Sequence, residues 1–156
     1  MYEPGTYGKR SPIPLTQPDD HIGTKGIKVD LNIIRGIVFT NQLDSPSTIV
    51  APDEETNMIA GHLIDFLKQE IEVGRLTKSL APLQSGIGSV ANAVFHGLLN
   101  ADFHDLVVYS EVLQDAGFDL IDAGKVRFAS CCSIILSDSK RSQVFTDFVT
   151  YVSKIV

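Results

Sequence analysis

Leu80-Ala81-Pro82-Leu83-Gln84-Ser85-Gly86-Ile87-Gly88-Ser89-Val90-Ala91-Asn92-Ala93-Val94 is the stretch that decides the fold. It reads as a short strand over Leu80 to Gln84, a glycine turn, and a helix with an apolar face of Val90, Ala91, Val94, Phe95 and Leu98. The order then repeats. Leu106-Val107-Val108-Tyr109-Ser110-Glu111 is an apolar strand ending on a carboxylate, and Val112 to Ile121 is a helix closed by Gly124. Val126 to Leu136 reads as a further strand and Lys140 to Ile155 as an amphipathic helix. Strands alternating with helices imply parallel βαβ units, hence an α/β fold with a mostly parallel sheet covered by helices on both faces.

Upstream, Ile33-Ile34-Arg35-Gly36-Ile37-Val38-Phe39-Thr40 is short and β-branched, the pattern of a strand buried on both faces. Pro52 and Asp53-Glu54-Glu55 open a helix, with acids against the positive end of its dipole. Met58, Ile59, His62, Leu63, Phe66, Leu67 and Ile71 recur at helical spacing up to Gly74, which makes His62 a packed histidine. The first thirty residues, with Pro12, Pro14 and Pro18, cannot form a regular helix. The expected organisation is an extended segment over 1–30 and an α/β domain over 31–156 that is incomplete at its C-terminus.

Composition narrows the function classes. The 156 residues are 44% hydrophobic, and no run approaches the ~20 apolar residues of a membrane span. A net charge of −6 with scattered bases argues against a nucleic-acid surface. No basic start followed by an apolar run and a cleavage site opens the chain, so a cytoplasmic setting is expected, or a mitochondrial one. Cys131 and Cys132 are adjacent and point to opposite faces of a strand, so they read as two buried small hydrophobes. Neither they nor His21, His62, His96 and His104 have metal-ligand spacing, and no metal is expected.

In parallel sheets ligands bind beyond the carboxyl ends of the strands, and two features fall there. Gly86-Ile87-Gly88 lets backbone amides approach a ligand at a helix N-terminus, although such a turn is also a common structural device. The dinucleotide pattern is met only with Ala91 in its last place, and no Lys-Ser or Lys-Thr follows to make a phosphate-binding loop. Glu111, at a strand end, is either a partly shielded reactive carboxylate or a solvated acid. Asp115 and Asp119 read as first-turn and surface acids.

The run Leu83 to Val94, followed by Tyr109-Ser110-Glu111-Val112-Leu113-Gln114-Asp115, resembles the acetyl-CoA hydrolase/succinyl-CoA:acetate CoA-transferase family. Ala51-Pro52-Asp53-Glu54, Ile59-Ala60-Gly61-His62-Leu63 and Phe128-Ala129-Ser130 fit the same family, so the likeness runs from about Ile22 to Ser137. The resemblance implies a CoA-transferase (NagB/RpiA-like) domain. It implies transfer of CoA between an acyl-CoA and a small carboxylate such as acetate or succinate, with Glu111 as nucleophile. A mixed anhydride and then a glutamyl-CoA thioester would form on that side chain. The backbone N–H of Ile87 would donate to the developing oxyanion, and the loop Gly86, Ile87, Gly88, Ser89 and Val90 would lie along CoA. Coenzyme A would be a substrate and no cofactor would be tightly bound; the full-length enzyme would be a homodimer.

The sequence departs from the family at Ser89, where Asn is usual, and near Ser45, where many members carry Arg. The resemblance further implies that the chain is an internal piece of a longer two-domain enzyme, whose later glycine-rich loop supplies the other oxyanion donor. Hydrolysis is the same chemistry with water as acceptor. A non-catalytic CoA-binding α/β module and a nicotinamide-nucleotide-binding domain are the competing readings.

Overall fold

The computed structural model describes residues 16–17, 20, 26–42 and 51–155. The chain divides into two units, Met1–Ser45 and Pro46–Val156.

In the first unit, Leu31–Ile33 form one 3-10 turn, started by the Asp30 carboxylate, which accepts from the Asn32 N–H at 3.0 Å. Residues 34–42 are irregular. The strand expected over Ile33 to Thr40 is not formed, and Ile37, Val38 and Phe39 are 70%, 89% and 92% exposed. β-branched residues favour a strand only where a ladder partner and a packing surface exist, and no described strand pairs with this segment.

The second unit is an α/β structure of α1 (Glu54–Glu72), β1 (Leu83–Ser85), α2 (Ser89–Asn100), β2 (Leu106–Leu113), α3 (Asp115–Asp122), β3 (Val126–Ile134), α4 (Asp138–Thr146) and α5 (Phe148–Val152). The sheet is all parallel in the order β1-β2-β3. Successive neighbouring strands joined by right-handed crossovers place α2 and α3 on the same face. Leu83, Leu106, Val108, Ala129 and Cys131 pack from that face against Phe95, Leu98, Phe118 and Leu120. The opposite face is open toward the strand ends, where Gln84, Glu111 and Cys132 are exposed. Farther back on that face Val107 and Phe128 are buried, so the exposure is confined to the strand ends.

Local chemistry explains the helix ends. Asp53 caps α1 in a reciprocal box: its carboxylate accepts from the Thr56 N–H at 2.8 Å, and the Thr56 hydroxyl accepts from the Asp53 N–H at 3.0 Å. Gly74 and Gly124 follow the ends of α1 and α3 with φ of 76° and 68°. The buried line of α1 is Thr56, Ala60 and Ile64, continued by Leu67 and Ile71. Met58, Ile59, Leu63 and Phe66 are exposed, and so is His62, so the histidine is not packed. The stripe is wide enough for two faces, and Gly97 selects one, because its missing side chain lets Ile64 approach α2. α2 likewise buries Asn92 and Ala93 and leaves Val90 exposed.

The expected single helix from Lys140 to Ile155 is two helices. Asp147 (φ −131°, ψ 51°) ends α4, and its carboxylate accepts from the Thr150 hydroxyl at 2.7 Å. That local bond competes with helix continuation. The Lys140 ammonium holds the carboxylates of Asp119 and Asp122 at 2.5 and 3.2 Å, and the Tyr151 hydroxyl donates to Asp122 at 2.7 Å.

Two predictions arise from this packing. A Cβ on Gly117 would lie 2.6 Å from Leu113 Cδ1, so the buried Leu113 side chain would have to shift. Gly117→Ala is expected to cost about 1–3 kcal/mol by overpacking, read as a lower urea midpoint at unchanged slope.

The second concerns alkaline pH. Burial pulls the Lys140 ammonium down, but hydrogen bonds and charge from Asp119 and Asp122 outweigh it and leave its pKa above the usual 10.5. The hydrogen bond to Asp122, with burial, raises Tyr151 above its usual 10.0. A raised folded pKa stabilises below the unfolded value and is lost as pH rises through the folded one. The melting temperature should therefore fall above pH ~10, and less steeply in Tyr151→Phe. An identical alkaline limb in that variant would show that Tyr151 does not contribute to it.

Candidate active site

The strand register builds the site. Ser85, the last residue of β1, pairs with Ser110 of β2. Gly86 follows directly and lines a crevice with Ser110 and Val112, the residues on either side of Glu111. The start of the glycine turn and the segment carrying the carboxylate, 25 positions apart in the chain, thus come together across adjacent strands. Asn92 of α2 and Gly117 of α3 line the same small crevice.

Glu111 lies within β2 rather than at its end. Val112 and Leu113 continue the ladder to Ser133 and Ile134, and Gln114 is the N-cap that starts α3. The helix expected from Val112 therefore begins three residues later. β-branched Val112 finds a partner strand here, and a ladder bond outweighs its modest helix preference. The carboxylate is exposed rather than shielded in a crevice, and no described residue forms a hydrogen bond or ion pair with it. Just behind it, the Ser110 hydroxyl donates to the Val112 carbonyl at 2.8 Å, bracing the backbone on both sides of Glu111.

The loop is open as well. Gly86, Ile87, Gly88, Ser89 and Val90 are all exposed, Ile87 by 63%. The Ser85 hydroxyl donates to the Gly86 carbonyl at 3.1 Å. Gly88 is the N-cap of α2 with φ 126°, a conformation that a side chain would strain, and no side-chain oxygen caps the helix. The first amides of α2 are consequently left for solvent or a ligand, where the helix dipole favours a negative charge.

Residues that the sequence left as bystanders have structural roles. Asp115 is more than a first-turn acid: its carboxylate accepts from the N–H of Ser137 at 2.9 Å and from its hydroxyl, joining the starts of α3 and α4. Nothing in the local pattern marks a partner 22 positions away. A cavity of about 250 Å³, lined partly by Asn92, His96, Asp115 and Asp119, touches none of the sequence-derived site residues. The cysteines are free, but only Cys131 is partly buried; Cys132 is exposed, contrary to the expectation of two buried thiols. Burial pushes the Cys131 thiol up, with its neighbour adding to the effect. Among the described residues no helix is long and apolar enough to cross a membrane.

No family model matches the chain. Curated relatives do. The chain is 42% identical over 147 residues to an acetyl-CoA hydrolase of Schizosaccharomyces pombe, 40% over 147 residues to one of Neurospora crassa and 36% over 146 residues to one of Saccharomyces cerevisiae. Each match covers 94% of this chain and 28% of the relative, so the chain spans somewhat over a quarter of the length of these proteins. The shared stretch includes the strand, glycine turn and carboxylate whose register is described above. Over that stretch the chain is similar to the acetyl-CoA hydrolases.

Proposed function

We propose that the chain carries the nucleophile half of an acyl-CoA hydrolase site, with Glu111 as the attacking carboxylate. The observation that supports this most is the β1–β2 register, which brings the start of the glycine turn to the segment of β2 that carries Glu111, with that carboxylate exposed and bonded to no described residue. In the first step a Glu111 oxygen attacks the thioester carbonyl of an acyl-CoA. The carbon–sulfur bond breaks, leaving an acyl-glutamyl anhydride and CoA thiolate. The thiolate then attacks the glutamyl carbonyl, releasing the carboxylate product and leaving a glutamyl-CoA thioester. Water attacks that thioester, restores Glu111 and frees CoA with its proton. Each attack places negative charge on a carbonyl oxygen, and the N–H of Ile87 is the donor proposed for it, with Gly86 to Val90 lying along CoA. Coenzyme A is a substrate in this scheme.

The relatives are named for hydrolysis of acetyl-CoA, which favours water as acceptor. Transfer to acetate or succinate, the reading first drawn from the sequence, is the second reading, because it shares every step up to the thioester. Acetyl-CoA turnover measured with and without succinate separates them. Thiol release independent of succinate supports hydrolysis, and succinyl-CoA formation supports transfer. With neither product and no adduct, the chain would be a non-catalytic α/β module.

A further inference from the structure

The register also decides what stands on the far side of Glu111. Ser110 pairs with Cys131 and Val112 with Ser133, so the neighbour of Glu111 on β3 is Cys132. Lateral neighbours in a parallel ladder project from the same face, and adjacent strands lie ~4.8 Å apart. The thiol and the carboxylate therefore stand side by side, both exposed, and the thiol is unbonded. On the β1 side the strand has ended at Ser85 and the glycine turn begins. The two sides of Glu111 thus differ, with a side chain beside it on β3 and no strand residue beside it on β1. One row back on the same face are Gln84, Tyr109 and Ser130, with the Tyr109 ring edge-on to Phe128 at 5.9 Å.

We propose that Cys132 is a specificity-determining residue of this site, its side chain limiting the size of the group that Glu111 accepts on the β3 side. The consequence for acyl groups rests on the reading of Glu111 as nucleophile. With the glycine side given over to backbone amides and CoA, the acyl chain of the anhydride extends across residue 132. A thiol leaves room for a short chain, and a larger side chain there would exclude longer ones.

The test needs no turnover. In the full chain, Glu111 is activated with a water-soluble carbodiimide and coupled to methylamine or to benzylamine, and peptide mass spectrometry gives the ratio of products at Glu111. Cys132→Ala is expected to raise the benzylamine share several-fold and Cys132→Phe to lower it. Ser133→Phe, exposed but on the opposite face, should leave the ratio unchanged. Because residue 132 is exposed, the alanine variant keeps the fold even if phenylalanine perturbs it. Equal ratios in wild type, Cys132→Ala and Cys132→Phe would overturn the proposal. A responsive ratio without any acyl adduct from acetyl-CoA would instead overturn the nucleophile reading, and an adduct with unresponsive ratios would do the reverse.

Discussion

Glu111→Gln is expected to abolish covalent capture of the acyl group while leaving the fold unchanged. The amide keeps the size and strand pairing of the glutamate but has no anionic oxygen to attack a thioester. Loss of a covalent nucleophile typically removes on the order of 10³-fold or more of the rate. The side chain is exposed and bonds to no described residue, so stability should change by no more than about 0.5 kcal/mol. Thermal melts of the two proteins should superimpose, while the adduct found after acetyl-CoA treatment disappears. Equal labelling of wild type and variant would exclude Glu111 from the chemistry.

Phe118→Ala should act in the opposite way, on the fold rather than on reactivity. Phe118 is fully buried where α3 meets the rest of the core, and its ring stands edge-on to Tyr151 with centroids 5.3 Å apart. Truncation removes the transfer energy of the ring and leaves a cavity, a cost of about 3–5 kcal/mol. Domains are stable by only about 5–15 kcal/mol, so this is a large share. Because Tyr151 is linked to Asp122, and Asp122 to Lys140, loosening should spread to α4 and α5. Chemical denaturation, with amide exchange along α4, reads both effects. An unchanged midpoint would show that the α3 packing is not what holds this unit together.

The elements that could be read from the sequence were those in which local and tertiary preferences agree. Gly86-Ile87-Gly88, Gly74 and Gly124 mark turns because few other residues fit, and Asp53 with Thr56 forms a cap within four residues. Strands β1, β2 and β3 could be read from apolar runs between such marks. Features that depend on partners could not. Ile33 to Thr40 has the composition of a strand but no described ladder to join, and α1 has an apolar stripe broader than the face it buries. The extension of β2 through Val112 and Leu113 depends on β3, whose pairing no local window reports.

The site divides along the same line. Glycine turn and carboxylate were visible as motifs, but their approach across the strands, and the place of Cys132 beside Glu111, follow from register. The exposure of Glu111 follows from a sheet face that stays open near the strand ends.

The most direct measurement of the central claim is to mix the chain with acetyl-CoA, quench with borohydride and map the product by peptide mass spectrometry. A glutamyl thioester is reduced to an alcohol, whereas a free carboxylate is inert. Reduction at Glu111 is expected, dependent on acetyl-CoA and absent from Glu111→Gln. Acetyl-CoA cleavage with Glu111 unmodified, or an adduct formed at another carboxylate, would contradict it.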